Sequence, residues 1–144
     1  MLRNLPSHLS TEQLLEGIKT LGFGDSVDFC FVAVNTDSNK CRGYSFINLD
    51  SVEAAAQFAE AVDGYSFAKG RKRTVVSVAQ TQGVMATLQR MRPWKRKSAA
   101  KFEAAGRPFV RIPGGEMQAM TVQTALDALT DNGNRLPVSS RPRV

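Results

Sequence analysis

Two apolar runs, VDFCFVAV (27–34) and CRGYSFINL (41–49), stand six residues apart and are joined by the polar stretch NTDSNK. Their β-branched and aromatic residues read as strands, and so short a connection makes them antiparallel neighbours. A strand sends alternate side chains to opposite faces. In the second run Gly43, Ser45, Ile47 and Leu49 fall on one side, and Arg42, Tyr44, Phe46 and Asn48 on the other. The first set is small or aliphatic and suits a core. The second places two aromatic rings among polar groups: core if that face is covered, a platform for a flat partner if it is open.

The flanks narrow the choice. MLRNL reads as a short strand ended by Pro6, and Ser10 with Gln13 has the spacing of a helix capping box. In TEQLLEGIKTL, the residues Leu14, Leu15, Ile18 and Leu21 form one stripe. Beyond the paired strands, Asp50 and Glu53 repeat the capping pattern before SVEAAAQFAEAV, and Gly64 sits just past that helix. TVVSVAQ supplies a last strand. The order β-α-β-β-α-β is the α+β, ferredoxin-like arrangement: a four-stranded antiparallel sheet with both helices on one face. The compact face of 42–49 then lies under the helices, and Tyr44 and Phe46 are expected on the exposed face.

The spacing predicts a further helix over 81–92, where Val84, Leu88 and Met91 recur at i, i+4, i+7 until Pro93. The core is thus expected over 1–80. Residues 93–144 read as a basic, partly disordered extension, with a short helix near 116–130 carrying Val122, Ala125, Leu126 and Leu129. The formal charge of +6 is concentrated late: 1–80 hold 8 Lys/Arg against 9 Asp/Glu, and 81–144 hold 11 against 4. A basic segment beside a near-neutral domain points towards nucleic acid or a solvated tail. No apolar run approaches the roughly 20 residues of a membrane span, and an intracellular setting, nuclear or cytoplasmic, is expected. Cys30 and Cys41 fall too far apart along the hairpin for a disulfide. One histidine supplies no metal framework, and no nucleophile or general base has its partner. No cofactor and no catalysis are expected.

RGYSFINL, on the third strand, resembles the octamer of the RNA recognition motif (RRM), K/R-G-F/Y-G/A-F-V-x-F/Y. Arg42, Gly43, Tyr44 and Phe46 match, whereas Ser45, Ile47 and Leu49 depart from it on the packed face. MLRNL supplies only the end of the first-strand hexamer, with Met1 where many RRMs carry an aromatic. The chain is therefore expected to begin inside its own first strand. MLRNLP, the spacing from VDFCFVAV to CRGYSFINL, Gln82-Gly83 within AQTQGVMATLQRM, and RPFV at 107–110 are similar to the Mei-two-like proteins, regulators of meiosis and development. There this kind of RRM is followed by an extra helix. The resemblance covers residues 1–115 and is closest over 1–92. Arg42, where that family often lacks a basic residue, is nearer to ordinary RRMs.

What the resemblance implies is single-stranded RNA binding and post-transcriptional regulation. Bases would stack on Tyr44 and Phe46, with Met1 as a deformable apolar neighbour. Arg42 and Arg3 would meet phosphates or base edges, and Asn48 and Ser77 would offer hydrogen bonds. Auxiliary phosphate contacts would come from Arg71, Lys72 and Arg73, and from Arg92, Trp94, Lys95, Arg96 and Lys97. The competing reading is a protein-interaction module that grips a peptide on its helical face, or through the extra helix. Its usual Arg-x-Phe motif reads Tyr65-Ser66-Phe67 here, with Glu12 and Glu16 as the acidic helix.

Overall fold

The computed structural model describes residues 1–35, 38, 40–67, 72–91, 107–113 and 115–135, the last five of these as backbone only. The elements are β1 (Leu2–Arg3), α1 (Thr11–Thr20), β2 (Val27–Val34), β3 (Cys41–Leu49), α2 (Val52–Val62), β4 (Val75–Val76), α3 (Val84–Met91), β5 (Phe109–Arg111), β6 (Met117–Ala119) and α4 (Val122–Arg135). The first six follow the β-α-β-β-α-β order, and their strands lie β4-β1-β3-β2, all antiparallel. The sheet does not stop at four strands. β5 pairs with the free edge of β2 and β6 with β5, giving the order β4-β1-β3-β2-β5-β6.

Local chemistry accounts for the elements. At α1 the capping box is complete: Gln13 N–H donates to Ser10 Oγ at 3.1 Å, and Ser10 N–H to Gln13 Oε1 at 2.9 Å. Leu14, Leu15 and Ile18 are buried beneath it. At α2 the cap is Ser51 and not Asp50: Ser51 Oγ accepts from Ala54 N–H at 3.0 Å. Asp50 N–H is held by Ser26 C=O at 2.8 Å, which keeps Asp50 with the end of the hairpin. Gly64, at φ +83°, reverses the chain after α2. β4 is shorter than the run 74–80 because its neighbour β1 is short. Val75 and Val76 pair with Arg3 and Leu2, and Ser77 exchanges bonds with Met1, the last of the ladder among the described residues.

Each face of the sheet has its own core. Beneath α1 and α2 lie Leu2, Leu5, Val27, Cys30, Val32, Phe58, Val62 and Phe67, with Ile47 and Leu49 partly buried against them. On the opposite face Phe29 and Phe31 of β2 pack with Leu88 of α3, Val110 of β5, Met120, and Val122, Ala125 and Leu126 of α4. The sheet is therefore a middle layer. α1 and α2 share one face, as the β-α-β-β-α-β order led us to expect, and the additional helices α3 and α4 cover the second face where β2 runs. The helix expected within 116–130 is α4, and three residues of that range form β6 instead.

Candidate nucleic-acid interface

β3 carries the candidate platform. Its register sets Phe46 opposite Phe31 of β2, Tyr44 opposite Arg3 of β1, and Ser45 opposite Leu2 and Val32. Ser45 is fully buried on the α1/α2 side, so Tyr44 and Phe46 project to the other. Their rings meet edge to face, centroids 5.7 Å apart at 82°. Both are half-buried, for different reasons. Phe46 rests against the Phe29–Phe31–Leu88 cluster, whereas Tyr44 is outside that cluster.

Gly43 shapes this corner. Between the Val32–Ser45 and Val34–Cys41 pairs β3 spends two more residues than β2, and Gly43 takes φ +94° within that bulge. Its C=O accepts from Leu5 N–H at 2.9 Å, which fastens the end of β1 beside Tyr44. The octamer's glycine is thus a backbone requirement that aims the residue after it.

The other predicted residues divide. Arg3 and Arg42 are exposed, as are Lys72 and Arg73. Arg73 donates from Nη1 to Gly64 C=O at 3.3 Å, and its own C=O accepts from Asn4 Nδ2 at 3.0 Å. Met1 is half-buried; its ammonium donates to Ser77 C=O at 2.9 Å, and burial, with Arg3 nearby, lowers the pKa of that amine. Asn48 is already engaged: Nδ2 donates to Asp28 Oδ1 at 2.7 Å and to Leu49 C=O at 3.3 Å. Burial raises the pKa of the Asp28 carboxyl, and the bond from Asn48 offsets part of the shift. Ser77 Oγ is shielded from solvent and has no hydrogen-bond partner among the described residues. Arg71, Arg92, Trp94, Lys95, Arg96 and Lys97 lie outside the described residues.

Tyr44, Phe46, Arg3, Met1 and Ser77 therefore share the half of the outer face formed by β1, β3 and β4, with Val75 exposed beside Arg3. Sequence reasoning missed Val75, and it left open whether the helix after β4 covers the sheet; that helix packs over β2. One signal for the cover is in the sequence: from Phe29 to Val34 β2 is apolar at every position, the pattern of a strand buried on both faces. Both thiols are free and buried, and burial raises the pKa of each. The helical-face alternative loses its anchor. Phe67 is 1% exposed, its ring so close to Gly17 that a Cβ there would stand 2.9 Å from Cδ1.

The strand order β4-β1-β3-β2, with two helices beneath and a Tyr–Phe pair on the third strand, defines an RRM-type fold. The family model of the Smg-4/UPF3 family matches residues 1–104, and the chain belongs to that family. A solved structure, the Rna15 RRM with bound RNA (GU), superposes with a TM-score of 0.51 at 18% identity, covering 62% of this chain and 90% of that one. Polyadenylate-binding protein 7 of Arabidopsis thaliana is 39% identical over 80 residues, which is 55% of this chain and 12% of that protein. None of these three is a Mei-two-like protein. No helix among the described residues is long and apolar enough to cross a membrane.

Proposed function

We propose that the chain binds single-stranded RNA, without catalysis, on the half of the outer sheet face that α3 and α4 leave uncovered. The observation that carries this reading is the Tyr44–Phe46 edge-to-face pair with Arg3 directly across from Tyr44. A ring with a cation beside it suits a base and the phosphate attached to it. The fold shared with an RRM whose structure holds RNA, and the match to a polyadenylate-binding protein, support the same reading. Tyr44 is the stacking residue with the least structural duty, and Phe46 contributes its uncovered edge. Arg42, Lys72 and Arg73 stand exposed as phosphate contacts. Post-transcriptional control during meiosis or development, the biological setting we propose, rests on the Mei-two-like sequence resemblance alone.

Stacking on an aromatic side chain contributes about 1–3 kcal/mol per base, so Tyr44→Ala is expected to weaken binding about 5- to 150-fold. The test is titration of short random single-stranded RNA into the parent, Tyr44→Ala and Arg3→Ala at two salt concentrations, with thermal melts to establish that each variant is folded. Arg3→Ala is expected to lower the salt slope by about 0.7, the share of one phosphate on a single strand. Binding that ignores Tyr44→Ala yet falls steeply with salt would refute the sheet site.

A further inference from the structure

A strand of RNA stacked on Tyr44 can leave the platform across β2, over β4, or along β3 in either direction. Across β2 the way is walled. Phe29 and Phe31, the outward rings of β2, are 1% and 8% exposed beneath Leu88 of α3, Val110 of β5, and Val122 and Leu126 of α4. Phe46 rests against the same cluster, so the wall begins directly beside the platform. Over β4, residues 75–82 read VVSVAQTQ and carry no charge to hold a phosphate. Along β3 towards Leu49 the company is acidic: Asp28 accepts from Asn48 at 2.7 Å, and Asp50 follows the strand. Carboxylates there oppose a phosphate backbone.

The remaining direction, along β3 towards its start, is cationic. Hydrogen bonds there tie the segments around Asn4, Cys41 and Arg73 side by side. Leu5 N–H donates to Gly43 C=O at 2.9 Å, Cys41 N–H to Ser7 C=O at 2.9 Å, and Asn4 Nδ2 to Arg73 C=O at 3.0 Å. Lys40, Arg42, Lys72 and Arg73 stand exposed on these segments. Lys72 lies close enough to Cys41 for its charge to favour the thiolate, which places it beside the start of β3. Glu12, in the first turn of α1, belongs to the other face, and Asp37 lies outside the described residues. From Asp28 and Asp50 to this corner the sheet carries a gradient of charge along its strands, and a polyanion is drawn to the corner.

We propose that RNA held on Tyr44 does not cross the sheet but turns along β3, passing Arg42 to lay its next phosphates on Lys40 and Lys72. The inference rests on the RNA reading above and adds to it the course of the strand and a further contact, Lys40. The cover decides the course: by roofing the rings of β2 it denies a second base the place beyond Phe46 and leaves phosphates the cationic corner.

The test titrates a short oligouridylate, with salt varied, into the parent, Lys40→Gln/Lys72→Gln, Arg90→Gln and Tyr44→Ala, with thermal melts to show that each is folded. Lys40 and Lys72 are exposed, so their replacement leaves the core intact. The lysine pair is expected to lower the salt slope by about 1.4, about 0.7 for each phosphate. That is a loss of about 25-fold in affinity at 0.1 M salt, fading towards 1 M. Arg90→Gln, exposed in the last turn of α3, is expected to leave slope and affinity as they are. An unchanged slope in the lysine pair, with binding still dependent on Tyr44, would overturn the inference and leave the RNA reading standing. A slope lowered equally by Arg90→Gln would do the same, because attraction would then follow net charge and not a path. Binding indifferent to Tyr44→Ala, or no binding by the parent, would overturn the inference and the sheet site together.

Discussion

Replacing Leu88 by Asp asks whether the two faces of the sheet are separate cores. Leu88 is fully buried on α3 between the outer face of β2 and α4. Losing a buried leucine costs about 2–5 kcal/mol, and an unpaired carboxylate in the same place several more. The sum is comparable to the whole stability of an ordinary domain, about 5–15 kcal/mol, so α3 and α4 cannot stay docked. What remains under α1 and α2 is the larger cluster, 13 buried hydrophobic residues against 8, and none of the 13 contains Leu88. The expected result is a protein whose amides in α3, β5, β6 and α4 lose protection from exchange, while those of α1 and α2 keep theirs. An environment-sensitive dye should bind the uncovered Phe29 and Phe31. Two-dimensional amide NMR with hydrogen exchange reads both halves at once. Loss of protection throughout would refute the reasoning, because the sheet would then need both covers. An unchanged spectrum would refute the placement of Leu88.

Gly43→Ala meets no steric block, since the nearest atom to a new Cβ is Leu5 O at 3.8 Å, but φ +94° is unfavourable for any residue with a side chain. It is expected to cost about 1–2 kcal/mol in denaturant unfolding, and no loss would mean that the bulge rearranges freely. Asp28 gives a pH signature. Its folded-state pKa is raised, so its contribution to stability is complete below the ordinary carboxylate range and is lost as pH rises through the raised value. Asp28→Asn keeps an acceptor for Asn48 and removes that loss. The variant is expected to be more stable than the parent at neutral pH and no more stable below about pH 4, as denaturant midpoints at the two pH values would show.

The hairpin was legible because VDFCFVAV and CRGYSFINL carry their alternation openly and the polar stretch between them is short. The same holds for Ser10 with Gln13, where residue type and spacing together specify the cap. The start of α2 was harder: Asp50 and Ser51 are adjacent and equally good caps, and the decision falls to Ser26 C=O, a group from another part of the chain. The second cover was harder still. The apolar stripe of α4 is partly small, with Ala125 at its centre, and periodicity shows that a helix has a buried face without showing what buries it. Here the partner is the outer face of β2. The anchor of β5 was equally hidden: Arg111 looks like one more charge in a basic tail. In the fold its guanidinium donates to Gly24 C=O at 2.8 Å and Val27 C=O at 3.2 Å, clasping the start of β2.

The strand order has a consequence for how copies of this protein behave when crowded. Its long strands, β2 and β3, are interior, and the margins of the sheet are β4, two residues long, and β6, three. Rims that short are poor templates for edge-to-edge pairing, the step that starts fibrous aggregation. Concentrated solutions of the folded chain are expected to stay dispersed, with the extra strands on β2 acting as a guard along an edge that would otherwise be the longest and stickiest in the molecule.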